Sequence, residues 1–167
     1  LPDNVDKNVY VWKASANKTE KKILEEGVKT RDKLRILLVN VESFATAKVI
    51  RYLEAFTHRS NFMLAVDEST TIKNIKAKRT KSVLRLGESA KYKRILTGSP
   101  ITQSPMDLYS QCYFLNKDLL GFDSYWSFQG RYAVVRQTRI GNHSFQQVVG
   151  FKNLEELTDK LHNFAYR

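Results

Sequence analysis

The sequence predicts an α/β domain of three layers around a mostly parallel sheet, and three observations carry that prediction. Residues 34–41 (LRILLVNV) form a continuous hydrophobic run of the kind that parallel strands show when both faces are covered. Residues 61–66 (NFMLAV) are a second such run, ending directly in Asp67-Glu68, and residues 93–96 (KRIL) are a short third, ending in Thr97-Gly98-Ser99-Pro100. Between the first two, Val49, Tyr52, Leu53 and Phe56 fall at i, i+3, i+4 and i+7, one face of a helix able to pack on the preceding strand. Strands alternating with helices build a parallel sheet clothed on its faces.

The elements follow in chain order. Residues 8–13 (NVYVWK) are β-branched and aromatic, as in a strand. Residues 17–27 read as a charged helix whose only large apolar residues are Ile23 and Leu24, with Gly27 as its C-terminal stop. Residues 34–41 then make a central strand, 45–56 a helix, 61–66 a second buried strand, 81–90 a helix and 93–96 a third strand. Ser104-Pro105-Met106-Asp107 supplies an N-cap, a proline at the first helical position and an acid in the first turn of a helix reaching about Leu115. Leu108, Cys112 and Leu115 form its inner face. Residues 124–134 carry Tyr125, Phe128 and Tyr132 at near-helical spacing, and Trp126, Phe128 and Tyr132 read as the core of an insertion, with base stacking as the alternative. Residues 137–151 give no periodic signal. Asn153 followed by Glu156 resembles a capping box opening a last helix, on which Leu154, Leu157, Leu161 and Phe164 share a face.

Composition bounds the rest. A chain of 167 residues with 42% hydrophobic residues has material for one sizeable core, which predicts a single domain over 1–167. Lys and Arg number 28 against 17 Asp and Glu, leaving +11 and pointing to polyanionic partners. No apolar run approaches the roughly 20 residues a membrane-crossing helix needs, so no membrane partner is expected. Cys112, as the only cysteine, forms no internal disulfide and suits a reducing compartment; as a helix inner-face residue it reads as a structural thiol. His58, His143 and His162 have no metal-ligand spacing. The chain opens Leu1-Pro2-Asp3, with methionine only at 63 and 106, which reads as a piece of a longer polypeptide.

Ligands of parallel sheets lie outside the carboxyl ends of the strands, here at Asp67-Glu68 and at Thr97-Gly98-Ser99. Adjacent carboxylates at the end of a buried strand are costly unless a cation or a reacting water uses them. A strand-end Asp can help hold magnesium on phosphates while its neighbour orients the attacking water. An equally open reading is that the pair caps the helix that follows. Thr97 and Ser99 place two hydroxyls around Gly98, suited to a phosphate or to the acid pair itself.

These residues together resemble a known family. Residues 65–74 (AVDESTTIKN) are similar to the extended Walker B or DEAH-box motif, D-E-A-H-x-I-K-N, of Swi/Snf-type ATPases in helicase superfamily two. Residues 95–101 (ILTGSPI), followed by Asp107-Leu108-Tyr109 and Phe114-Leu115, resemble that family's third motif, L-T-G-T-P-I, and its helix; residues 38–43 (LVNVES) resemble the strand and turn before them. The resemblance implies the later part of a first RecA-like (P-loop NTPase) lobe, incomplete at its N-terminus, with about 116–150 as a family-variable insertion. It implies ATP and magnesium as cofactors, Asp67 holding the metal through water, Glu68 activating the hydrolytic water, and Thr97, Gly98 and Ser99 coupling nucleotide to DNA. Three departures stand out. Ser69-Thr70 replace the usual Ala-His, removing the relay histidine; Ser99 replaces a threonine; and Gln103 stands where asparagine is frequent. No G-x-x-x-x-G-K-[ST] loop occurs in these residues. The family carries that loop upstream and its second lobe downstream, so this stretch alone is expected to be inactive. The compact spacing looks more like phage and viral helicases than large remodellers, which implies a cytoplasmic setting in a bacterial or phage-infected cell rather than a nuclear or secreted one.

From Lys73 to Arg94 nine basic residues face one acid, Glu88, a local +8. Such density neutralises phosphates without reading sequence. Lys73, Asn74, Lys76, Lys78, Arg79 and Lys81 are therefore candidate contacts to double-stranded DNA, with RNA as the open variant and a solvated helix face as the plain one. The rival function is a non-catalytic basic nucleic-acid-binding domain on a degenerate helicase fold.

Overall fold

The computed structural model describes residues 4–141 and 143–165, without the side chains of Ile140 and His143. Six strands and six α-helices are present among them, besides three short 3-10 turns: β1 (Lys7–Val11), α1 (Lys18–Lys29), β2 (Leu34–Leu38), α2 (Ala47–Thr57), β3 (Met63–Asp67), α3 (Lys78–Glu88), β4 (Tyr92–Leu96), α4 (Leu108–Leu115), α5 (Tyr125–Tyr132), β5 (Ala133–Ile140), β6 (His143–Phe151) and α6 (Leu154–His162). The chain is α/β, as its alternating runs predict. β1 and β2 pair in parallel, Lys7 opposite Leu34 and Val11 opposite Leu38; β3 pairs with β4; and β5 with β6 as an antiparallel hairpin. No helix among the described residues is long and apolar enough to cross a membrane.

The described residues pack as two compact units, one from Leu1–Leu64 and Ala77–Tyr92, the other from Ala65–Lys76 and Lys93–Arg167. In the first, α1 begins at an Asn17 capping box: the Asn17 side chain accepts from the Glu20 N–H while Glu20 accepts from the Asn17 N–H. Gly27 is no helix stop. The helix runs through it to Lys29, because a residue without Cβ lets the Tyr10 ring lie against the backbone, where an added Cβ would meet ring carbons at 2.8 to 3.0 Å. Tyr10, Leu24 and Phe56 form one buried cluster of this unit, with Trp12, Val28, Leu37 and Tyr52 packed around it. Arg35 of β2 knits the unit, donating to the carbonyls of Gly27 (2.8 Å) and Phe56 (3.0 Å) and to the Ser60 hydroxyl, with its guanidinium 4.5 Å from the Phe56 ring centre. On α2, Val49, Leu53 and Phe56 are buried, the face the periodicity marks.

The second unit is built on α4, where six of eight residues are buried, polar Ser110 and Gln111 among them. Met106, Leu108, Tyr109, Cys112, Leu120, Phe128, Tyr132, Ala133 and Leu157 form its core. Burial pushes the Cys112 thiol up to about 12, so it is inert. The helix at 125–132 is capped reciprocally by Ser124 and Ser127. Phe128 and Tyr132 are buried, whereas Trp126, expected beside them, falls on the opposite side of that helix and is 60% exposed. The stretch without periodic signal is the hairpin, whose outer half mixes polar residues with Ile140 and the exposed Phe145.

Two other expectations change. The runs at 34–41 and 61–66 are not covered on both faces: Leu34, Leu38 and Met63 are exposed, because each belongs to a sheet only two strands wide, which makes β2 an edge rather than a central strand. The last helix has no capping box either. Asn153 is in the left-handed region at φ 55° and donates to the Arg131 carbonyl, while Glu156 is taken by Arg131 and by the Tyr132 hydroxyl at 2.9 Å. Leu157, Leu161 and Phe164 pack inward and Leu154 stays exposed.

Candidate functional site

β3 delivers Asp67 and Glu68 to its carboxyl end, and β4 delivers Thr97 to its own. Glu68 adopts φ 50° and ψ 65°, a left-handed conformation uncommon for a residue with a side chain and concentrated at functional sites. Three threonines hold it there: its carbonyl accepts from the Thr71 N–H (3.0 Å) and hydroxyl (2.9 Å), and its Oε1 accepts from both Thr70 and Thr97 hydroxyls at 2.8 Å. Those two donors, Thr97 first, hold the Glu68 carboxyl below the ordinary glutamate range. Both acids are exposed, so the cost expected of a buried pair does not arise here, since water screens it. Asp67 Oδ1 accepts from the Glu68 N–H at 3.0 Å, which leaves Oδ2 toward solvent. No group of three or more His, Cys, Asp or Glu among the described residues could cage a metal. A lone carboxylate with one open oxygen does suit a hydrated magnesium ion, which keeps most of its waters.

The loop after β4 folds on itself. Ser99 N–H donates to Thr97 Oγ1 (3.2 Å) and the Ser99 hydroxyl to the Ile101 carbonyl (3.0 Å), while Gly98 is exposed with open space where a Cβ would be. Of the three residues singled out, only Thr97 reaches the acid pair.

Residues that the sequence pattern does not mark as site residues do the joining. Asp107, expected as a first-turn acid and as part of the stretch that follows the third-motif resemblance, but with no role in the site, has Oδ2 accepting from Thr102 N–H (3.0 Å) and hydroxyl (2.9 Å) and from Gln103 N–H (3.0 Å), with Lys73 Nζ at 3.5 Å. Burial pushes its carboxyl up, and these contacts outweigh that and hold it below the ordinary aspartate range. Ser110 donates to the Ile72 and Lys73 carbonyls at 2.6 and 2.7 Å. Gln111, 1% exposed, accepts from the Ser69 hydroxyl at 2.6 Å and donates to the Pro100 and Asp107 carbonyls, both at 2.8 Å. The signal for it in the sequence is a glutamine interrupting an apolar helix face.

The basic run divides by use. Lys73 bonds Thr102 as well as facing Asp107, and Asn74 turns its own chain by accepting from the Lys76 N–H. Lys76 lies 5.2 Å from the exposed Trp126 ring centre. In the first unit Arg79 grips Glu42 at 2.5 and 2.6 Å, and Lys78 and Lys81 are exposed.

Known proteins resemble the chain. It is 32% identical over 112 residues to the SWI/SNF-related matrix-associated actin-dependent regulator of chromatin subfamily A-like protein 1 of Drosophila melanogaster, covering 67% of this chain and 14% of that protein. It is 43% identical over 65 residues to DNA repair protein RAD5 of Candida albicans, covering 39% of this chain and 6% of that one. Among solved structures, the Sulfolobus solfataricus SWI2/SNF2 ATPase core in complex with dsDNA aligns over 78% of this chain and 29% of its own at 25% identity and a TM-score of 0.49. The chain thus spans a small part of these relatives. The model of the SNF2-related domain matches residues 5–164, nearly the whole length, and the chain belongs to that family.

Proposed function

We propose that this chain is the later part of the first RecA-like lobe of a Swi/Snf-type, superfamily-two motor, with its insertion at about 116–150, in which hydrolysis of magnesium-bound ATP drives movement along double-stranded DNA. The observation that carries the reading is the Thr97–Glu68 hydrogen bond, which ties the DEAH-box-like acid to the loop the family uses for coupling. Membership in the SNF2-related family supports it. Asp67, with one oxygen open, would hold magnesium through water; the metal would neutralise phosphate charge when bound. Glu68, ionised at neutral pH and fixed by two hydroxyls, orients the attacking water and takes up its proton. Thr97, Gly98 and Ser99 form the coupling loop. Exposed Lys76, Lys78 and Lys81 carry the phosphate contacts, while Lys73, Asn74 and Arg79 are held by contacts within their own units. A cytoplasmic, phage-like setting belongs to the same proposal and rests on the reduced cysteine and the compact motif spacing.

The test is ATP hydrolysis by the full-length protein with and without duplex DNA, with this stretch assayed beside it. Stimulated turnover in the parent, silence in the isolated stretch, and a Glu68→Gln variant that binds nucleotide without hydrolysing it are the expected results. A parent that binds DNA but shows no turnover would make the chain a basic binding platform on a degenerate helicase fold.

A further inference from the structure

Gln111 ties together the two loops that the proposed chemistry needs. Its environment fixes its orientation. The Pro100 and Asp107 carbonyls only accept hydrogen bonds, so the amide nitrogen faces both of them and spends both its hydrogens there. The amide oxygen is thereby turned onto the Ser69 hydroxyl at 2.6 Å. Both side chains are buried, Ser69 completely. The result is a continuous hydrogen-bonded path from the residue directly after Glu68 to Pro100 in the loop that carries Thr97. Ser110, the preceding residue on the same helix, clamps the same short turn through Ile72 and Lys73, and Asp107, one turn earlier, clamps Thr102 and Gln103. α4 therefore holds both loops, and the buried Gln111 side chain bonds directly to each.

An apolar pair would fill this space without the cost of burying polar atoms. A polar bridge does what an apolar pair cannot: its bonds are directional, so displacement of one loop is passed to the other instead of being absorbed by sliding contacts. Position 70, a histidine in the motif the chain resembles, is Thr70, whose hydroxyl stays on Glu68. Beside the acids, the two loops are joined by Thr97 on Glu68 and by Gln111 on Ser69, with Lys73 on Thr102 joining them farther out.

Resting on the motor reading above, we infer that Gln111 is a positioning residue that, through Ser69 and Pro100, couples the nucleotide-side acids to the DNA-responsive loop in place of the missing histidine. The test uses the full-length protein and a Ser69→Ala/Gln111→Leu double variant, which removes both partners and leaves no orphaned hydroxyl. The ratio of DNA-stimulated to unstimulated turnover should fall about tenfold with KM for ATP unchanged, since the loss is one of alignment rather than of nucleotide binding. Amide hydrogen exchange over residues 98–103 should quicken about tenfold while that of β1 and α1 stays the same. A stimulation ratio equal to that of the unaltered protein overturns the inference. If the unaltered protein shows no stimulated turnover, the motor reading fails, and the exchange result alone decides: quickened exchange keeps Gln111 as the tether between the loops, and unchanged exchange removes it.

Discussion

The Thr97 hydroxyl donates to Glu68 Oε1 at 2.8 Å, joining residues 29 apart in sequence and linking the end of β4 to that of β3. It is the foremost cause of the lowered Glu68 pKa. Thr97→Val keeps the shape and removes the donor, so the carboxyl rises toward its ordinary value. A group with a depressed pKa stays ionised to lower pH, and its loss of depression moves the acid limb of the rate profile to higher pH. In the full-length protein, DNA-stimulated turnover should fall roughly tenfold, somewhat less than the effect of removing one donor from an oxyanion hole. An acid limb that does not move would detach Glu68 from the rate-limiting ionisation.

What can be read from the sequence follows from local periodicity, and what cannot depends on partners far along the chain. α2 is legible because Val49, Leu53 and Phe56 repeat on one face. So are the ends of β3 and β4, where charged and hydroxyl residues follow apolar runs. Gly27 misleads because a glycine near a helix end usually stops it, and nothing local announces that Tyr10 comes to lie on it. The hairpin is silent because its outer half is mostly polar and its few apolar residues, Ile140 and Phe145, make no alternating run. In the site, Asp67, Glu68 and Thr97 can be named from the sequence. The joining roles of Asp107 and Gln111 cannot, since their partners Thr102, Ser69 and Pro100 are recognisable only after α4 is placed.

Gly27→Ala should destabilise the chain although alanine is the better helix former by about 1 kcal/mol. The new Cβ would press on a buried Tyr10 ring that is itself set edge-on to Phe56 at 5.9 Å, so the ring or the helix must shift. Overpacking of this kind costs about 1–3 kcal/mol. Gly130→Ala on α5, where the added methyl meets nothing within 4 Å, is the control and should gain up to about 1 kcal/mol. Urea denaturation of the two variants measures both signs.

Asp107→Asn keeps the shape of the side chain and removes the charge that Thr102, Gln103 and Lys73 address. The expected cost is about 1–2 kcal/mol at pH 7, the difference between charged and neutral acceptors. The folded-state pKa of Asp107 is lowered, so its contribution is fully present above the unfolded value of about 3.9 and is lost as pH falls through the folded one. The gap between the variant and the unaltered protein should therefore be constant from pH 7 to about 5 and narrow below about 4. Denaturation midpoints measured across that range would show a constant gap instead if the carboxylate made no special contribution.

The basic run makes the sharpest distinction between exposed cations and cations already held by an acid. Lys76, Lys78 and Lys81 are exposed, whereas Arg79 is committed to Glu42 and Lys73 to Asp107 and Thr102. Each DNA phosphate that is no longer neutralised should reduce the slope of log affinity against log salt by about 0.9. Replacing the three exposed lysines by alanine should therefore flatten the slope for duplex DNA by about 2–3, at a stability cost no larger than the Lys76–Trp126 contact supplies, about 0.5–1 kcal/mol. Arg79→Ala should leave the slope nearly intact and cost about 0.2–1 kcal/mol of stability, as for an exposed ion pair. Fluorescence anisotropy titrations from low to moderate salt separate the two variants, and equal slopes for the triple variant and the unaltered protein would reduce the run to a solvated surface.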